Sequence, residues 1–179
     1  MQTSIYGIRP KGQILIGIGA NLPSDHGSPL ETCIAALESL GNMAIDVVRQ
    51  SRWYKSAPAP VSDQPWFING VAAVDCALAP DALLDTLHEI ETRFGRQRSG
   101  PAAARTLDLD LLDYRGMLRC GSPPPELPHP RLADRAFVLL PMAEIAPHWT
   151  HPRSGEAIAA LIAALDPGLT AEPMDGSLV

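Results

Sequence analysis

Asp108 and Asp110 sit two residues apart in the run Arg105-Thr106-Leu107-Asp108-Leu109-Asp110-Leu111-Leu112-Asp113-Tyr114. From Thr106 to Leu112 apolar and polar residues alternate, the pattern of a half-buried β-strand. That puts Leu107, Leu109 and Leu111 on one face and Thr106, Asp108 and Asp110 on the other. The two carboxylates then stand with Cβ atoms roughly 6.5–7 Å apart. They repel by about 2.5 kcal/mol at an effective dielectric near ~20. A cation, an arginine or a raised pKa has to offset this. Hard divalent ions such as Mg²⁺ take carboxylate oxygens and fill their remaining positions with waters and substrate phosphates. The pair therefore suggests a metal-and-phosphate site. The plainer reading is a solvated strand face beside arginines.

Arginines are close by in sequence: Arg93, Arg96, Arg98 and Arg105 crowd just ahead of the aspartates. The whole chain is nevertheless acidic, with a net charge of −6. That balance argues against a general nucleic-acid binder, which carries a basic surface. A local arginine cluster in an acidic protein suits a small phosphorylated ligand. No apolar run is long enough to span a bilayer, and Met1–Gly12 lacks a signal-like apolar segment. Cys33, Cys76 and Cys120 are widely spaced with no C-x-x-C, neither a disulfide framework nor a zinc pattern. A cytoplasmic protein is expected, with no membrane and no nucleic-acid partner, acting as a monomer.

The elements that must hold these residues can be read in order. Ile14–Ile18 is a short buried strand ending at Gly19. Gly17-x-Gly19-x-Asn21-Leu22 fails as a dinucleotide fingerprint, because Leu22 stands where the third glycine belongs, and no P-loop string occurs. Ser28-Pro29-Leu30-Glu31 is a capping box opening a helix, with Leu30, Ile34, Leu37 and Leu40 as its stripe and Gly41 as its stop. Ala44–Lys55 reads as a second strand and Trp66–Ala77 as a third. Asn69-Gly70 is taken as strand rather than as a hairpin turn. Pro80 opens a second helix with the stripe Leu84, Leu87, Ile90 and Phe94, stopped by Gly95. Glu91 falls within that stripe. An inward carboxylate needs a partner, either an arginine or a ligand. Val138–Ile145 and Ser154–Leu165 read as helices. Ala57–Pro65 and Ser122–Pro130 are proline-rich and taken as rigid loops.

Strand, helix, strand, strand, helix, strand is the split βαβ order. The fold expected is α+β, a ferredoxin-like antiparallel sheet with helices packed on it and additional C-terminal helices. One domain is expected over residues 14–166. Residues 1–13 would form an N-terminal extension and 167–179 a frayed tail.

The order of short motifs resembles a known family. It runs Gly19-x-Asn21-Leu22, then Tyr54-x-Ser56-x-Pro58, Asp63-Gln64-Pro65 and Phe67-x-Asn69. Glu91, Gly95-Arg96-x-Arg98 and Arg105-Thr106-Leu107-Asp108-Leu109-Asp110 follow. Pro128-His129, Arg135-x-Phe137 and Pro141-x-x-Glu144-Ile145-Ala146-Pro147 close it. Across Ile14–Leu165 this is similar to the hydroxymethyl-dihydropterin pyrophosphokinases of folate synthesis. The resemblance implies transfer of the pyrophosphoryl group of ATP, as co-substrate, to hydroxymethyl-dihydropterin with release of AMP. It implies two Mg²⁺ ions on Asp108 and Asp110, which with Arg98 and Arg105 form the catalytic set. Glu91, Arg98, Arg105, Leu111, His129 and Arg135 would be ATP contacts. Ser56, Ala57, Ala59, Phe67, Asn69 and Phe137 would form the pterin pocket. Arg96 and His88 would lie nearby. Two aromatics can sandwich a flat heterocycle and an amide can match its edge. Guanidinium groups bind two oxygens at once and keep their charge. Where many members carry Trp-Gly-Pro before the arginine of the Asp-x-Asp strand, this chain has Ala102-Ala103-Ala104.

Two other classes share some of these features. A Mg²⁺-dependent nucleotidyl or glycosyl transferase also uses Asp-x-Asp to hold a diphosphate. An RNA-binding module can share the strand order, but needs exposed aromatics on central strands and a basic face. On the reading preferred here, asparagine at 108 or 110 should abolish turnover and leave the metal-free fold as stable or more stable, because like-charge repulsion is relieved.

Overall fold

The central strand β1 (Ile14–Ala20) is buried along its whole length, its apolar and glycine run satisfied on both faces. A computed structural model describes residues 12–58, 62–96, 104–169 and 171–174. β1 lies antiparallel between β4 (Phe67–Asp75) and β5 (Asp108–Tyr114). β2 (Asp46–Gln50) and β3 (Tyr54–Ser56) both pair antiparallel with β4. β6 (Ala171–Pro173) adds to the free side of β3. The path through the sheet is β5-β1-β4-β3-β6, with β2 also on β4.

Helices α1 (Pro29–Gly41) and α2 (Pro80–Arg93) cover one face. The expected capping box is formed: Ser28 Oγ accepts from Glu31 N, and Glu31 Oε2 accepts from Ser28 N at 2.7 Å. The buried stripes are rotated slightly from expectation. Cys33, Ala36, Leu37 and Leu40 are the buried apolar residues of α1, and Leu83 rather than Leu84 is fully buried in α2. The additional helices α3 (Ala136–Ile145) and α4 (Ile158–Ala163) pack the opposite face against Leu15, Val71, Ala73 and Leu112. The sheet therefore has an apolar layer on each side, and α3 overlies part of the face that carries the aspartates.

Four local readings are corrected. The single strand expected over Ala44–Lys55 is two, interrupted at Ser51–Trp53. There Ser51 Oγ accepts from Val71 N at 3.0 Å in place of a backbone carbonyl, and the Trp53 ring lies against Gly70. A Cβ at Gly70 would fall 2.8 Å from that ring, so the strand admits only glycine there. The alternation in β5 ends at a bulge. Ile16 pairs with Leu111 but Leu15 with Asp113, which sends Leu112 and Asp113 together toward the α3 side. Asp113 is held there by Trp149 Nε1 at 2.6 Å and Gly116 N at 2.8 Å. The helix expected over Ser154–Leu165 is confined to α4, because Thr150 and Ala157 form a bridge around a turn. Part of the expected frayed tail is β6. Asn69-Gly70 is strand, as read from the sequence.

Candidate active site

Cross-strand register brings the functional side chains together. In one row Tyr54 pairs with Asn69, Asn69 with Gly19, and Gly19 with Asp108. In the next row Val71 pairs with Gly17 and Gly17 with Asp110. Paired residues project to the same side of a sheet. One face therefore presents the Asn69 amide and the two carboxylates with only backbone between them.

The carboxylates are neutralised by arginines. Asp108 accepts from Arg105 Nη1 at 2.6 Å and from Arg96. Arg96 also bridges to Glu91, a carboxylate 2% exposed on α2 that accepts from Leu109 N at 2.8 Å. Burial alone would push the Arg96 guanidinium below its ordinary value, but Asp108 and Glu91 outweigh it and hold it above. Asp110 accepts from Arg135 Nη1 at 3.0 Å and lies 3.8 Å from His129 Nε2. His129 Nδ1 accepts from Arg131 N at 3.2 Å. The ring proton of the neutral form is thereby directed to Nε2, on the Asp110 side. Burial pushes His129 below its ordinary value, Asp110 opposes that, and Arg135 and Arg131 reinforce it. The repulsion expected between the aspartates is thus answered by guanidinium groups on three separate segments.

Beside Asp108 opens a cavity. Phe67 and Phe137 stand in its wall, with Asn69 and Ser56 between them. Asn69 Nδ2 donates to Ser56 Oγ at 2.9 Å, leaving its carbonyl oxygen for another donor. Ala57, Pro58 and Gly19 line the remainder, with Arg105, Arg131 and Arg135 at the polar side. The Arg135 guanidinium carbon also lies 5.5 Å from the centre of the Phe137 ring. One arginine thereby touches both the aromatic wall and an aspartate. The loop ahead of β4 is tied to the aspartate strand by Asn21, 1% exposed. Its side chain donates to Pro65 O at 3.1 Å and accepts from Arg105 N at 2.8 Å.

Of the residues expected at the site, Ser56, Ala57, Phe67, Asn69, Arg105, Asp108, Arg135 and Phe137 line this one cavity. Asp110 lies in the adjoining crevice with Gly17 and Val138. Glu91 and Arg96 form its supporting layer. Leu111 is not on this face; its side chain is 3% exposed in the core behind the sheet, as the alternation itself required. His88 lies on α2 and does not line the cavity. Arg98 and Ala59 lie outside the described residues, as do Ala102 and Ala103 of the departed motif. Arg131 and Gly19 line the cavity without having been assigned a role. The available signals were a basic residue just after Pro128-His129-Pro130, and a glycine at a strand end with no turn to require it.

Among the described residues no group of three or more His, Cys, Asp or Glu forms a protein-only metal cage. Two partly exposed carboxylates, 23% and 31%, suit an ion that shares its coordination with a phosphate ligand.

Comparison with known proteins gives a consistent picture. The model of the 7,8-dihydro-6-hydroxymethylpterin-pyrophosphokinase (HPPK) family matches residues 15–147. A Synechocystis protein named 2-amino-4-hydroxy-6-hydroxymethyldihydropteridine pyrophosphokinase is 42% identical over 153 residues, covering 85% of this chain and 75% of its own. Proteins of the same name from Pseudomonas aeruginosa and Methylorubrum extorquens are 39% and 36% identical over 153 residues, 91% and 92% of their lengths. Among solved structures, one titled "Crystal Structure Analysis of the HPPK-DHPS in complex with substrates" superposes with a TM-score of 0.62. It covers 87% of this chain and 45% of that one at 12% identity, a likeness of fold alone.

Proposed function

The chain belongs to the 7,8-dihydro-6-hydroxymethylpterin-pyrophosphokinase family, and on that premise we propose how its own residues carry out the transfer. The enzyme is an ATP-dependent pyrophosphokinase of folate biosynthesis. The acceptor is 6-hydroxymethyl-7,8-dihydropterin. Its hydroxymethyl oxygen forms a bond to the β-phosphorus of ATP, the bond from that phosphorus to the α,β-bridging oxygen breaks, the hydroxyl proton is released, and AMP leaves. Attack and departure are in line, as in other phosphoryl transfers, and no side chain forms a covalent intermediate.

The observation that carries this reading is the row Asn69–Gly19–Asp108, which sets a heterocycle-sized pocket directly beside a carboxylate pair. Phe67 and Phe137 take the faces of the pterin ring and Asn69 its donor–acceptor edge, with Ser56 fixing the amide and the Ala57 backbone beside it. Asp108 and Asp110 hold two Mg²⁺ ions, which when bound neutralise phosphate charge and polarise the phosphorus under attack. Arg105 and Arg135 turn from carboxylate to phosphate oxygens as the nucleotide arrives, keeping charge balanced throughout. His129 donates from Nε2 toward the same phosphates, and Glu91 keeps Arg96 oriented from behind. Arg98 is assigned to the phosphates on the family resemblance. The partners are small molecules. The three thiols are unpaired, as suits a reducing cytoplasm, and the protein works as a monomer. No helix among the described residues is long and apolar enough to cross a membrane.

Incubation with Mg²⁺, ATP and hydroxymethyl-dihydropterin is expected to release AMP only when the pterin is present. ADP instead would mean transfer of the γ-phosphoryl group. No nucleotide product from folded protein would overturn the proposal.

A further inference from the structure

Gly19 is a glycine without a packing reason. Gly70 and Gly12 are explained by close neighbours, since a Cβ at either would meet the Trp53 ring at 2.8 Å or the Arg115 backbone at 2.6 Å. At Gly19 an added Cβ would meet no backbone atom closer than Ile68 O at 3.9 Å. Its nearest contact is the Asn69 side chain, Oδ1 at 3.0 Å. The backbone of Gly19 is extended within β1 and has no positive φ to demand glycine. Alanine would therefore be tolerated by the core. What a Cβ would occupy is the cavity, at the point where Gly19 lies between Asn69 on β4 and Asp108 on β5.

Neighbouring strands are about 4.8 Å apart, so Asn69 and Asp108 are separated by roughly 10 Å across a bare backbone. Under the proposed function, the ring edge is held at Asn69 and the phosphates lie at Asp108. The only part of the acceptor that spans the interval is the one-carbon arm bearing the nucleophilic hydroxyl. We propose that Gly19 is a specificity-determining residue, whose missing side chain makes the room in which the hydroxymethyl arm lies and so limits the bulk allowed on that ring carbon. This rests on the assignment of the pterin and phosphate sides made above. It adds a residue whose role is steric rather than polar.

The test compares two ligands in two proteins by calorimetry, with Mg²⁺ and α,β-methylene-ATP present to prevent turnover. The ligands are 7,8-dihydropterin and its 6-hydroxymethyl derivative. Wild type is expected to bind both, the second more tightly. In Gly19→Ala the hydroxymethyl compound should lose about tenfold or more in affinity, the scale of one misplaced methyl group in a pocket. The unsubstituted ring should change by less than about threefold on that scale, and Mg²⁺–α,β-methylene-ATP alone should bind as in wild type. Equal losses for both pterins would mean that Asn69 had been displaced, and would overturn the proposal. Unchanged affinity for both would place the arm elsewhere and overturn it as well. A wild type that binds neither pterin would overturn the functional reading itself, before any variant is made. Should Gly19→Ala not fold, the wild-type series can be extended to a branched 6-(1-hydroxyethyl) arm. A loss of about tenfold relative to hydroxymethyl is expected, and equal affinity would sink the inference.

Discussion

The amide of Leu109, midway between the two aspartates, donates to Glu91 Oε1 at 2.8 Å. Glu91 also holds Arg96, and Arg96 holds Asp108. The carboxylate from α2 thus anchors the aspartate strand twice, once through its backbone and once through a guanidinium. Glu91→Ala leaves an amide and a partly buried arginine without this partner and should cost about 2–4 kcal/mol, near the range for breaking a buried pair. Glu91→Gln retains an acceptor for Leu109 and should cost about 1 kcal/mol. Urea unfolding of both variants separates these outcomes. Equal stability of both with wild type would remove Glu91 from this role.

Asp108→Asn and Asp110→Asn should each reduce kcat by at least about a thousandfold, by loss of charge stabilisation at the phosphates. The sequence alone suggested no loss of metal-free stability. The arginines reverse that expectation at Asp108, because its charge is shared by Arg96 and Arg105. Asp108→Asn should lower metal-free stability by about 1 kcal/mol and Asp110→Asn by less. Thermal melting in the presence of a chelator reads the difference, and an increase for Asp108→Asn would contradict it.

Mg²⁺ alone should bind weakly, with Kd above about 1 mM, because the carboxylates already have cationic partners and one or two carboxylates do not form a complete Mg²⁺ site. A non-hydrolysable ATP analogue should tighten it more than about tenfold through shared phosphate ligands. Titration with and without the analogue tests this coupling. Metal binding that is equally tight without nucleotide would rule it out.

Phe137→Ala should weaken pterin binding by about thirtyfold or more, through lost ring contact, and ATP-analogue binding by less than about threefold. The Arg135 guanidinium over the ring supplies the smaller effect. Comparable losses for both ligands would assign Phe137 to packing.

Stability should fall at both ends of the pH scale through one cluster, in which Glu144 of α3 accepts from Arg52 Nη2 at 2.7 Å and from the Tyr54 hydroxyl. Partial burial pushes the Glu144 carboxyl up, but Tyr54 and Arg52 outweigh it and hold it below its ordinary value. Its contribution is present above the unfolded-state pKa and is lost as pH falls through the lower folded value. Burial first, and then Glu144, push Tyr54 up to about 12. For that phenol the neutral form is favoured on folding, so stability declines as pH rises from about 10 toward 12. Melting temperature against pH should lose part of its acid limb in Glu144→Gln. An unaltered acid limb would assign that limb to other carboxylates.

Asp108, Asp110 and Glu91 were legible because their placement follows from local periods, two along a strand and 3.6 around a helix. The same periods put Leu111 behind the sheet, against the contact that family resemblance implied. The bulge at Leu112, the break at Ser51–Trp53 and the short α4 were not legible. Each depends on a distant partner: Leu15, Gly70 or the Thr150–Ala157 bridge. Arg96 and Arg105 were recognised as phosphate-seeking groups, but their metal-free partners depend on how the strand meets α2. Gly19 could be seen only once β4 and β5 stood on either side of it.

β6 gives the sheet a finished margin. Without Ala171–Pro173, the outward amides and carbonyls of Tyr54–Ser56 would be open to any extended peptide, a common start of lateral self-association. Chains shortened before Ala171 would therefore suffer first in colloidal behaviour, forming soluble aggregates at concentrations where the full chain stays dispersed. The aspartate strand, at the opposite margin of the sheet, would be the last part of the architecture to register the loss.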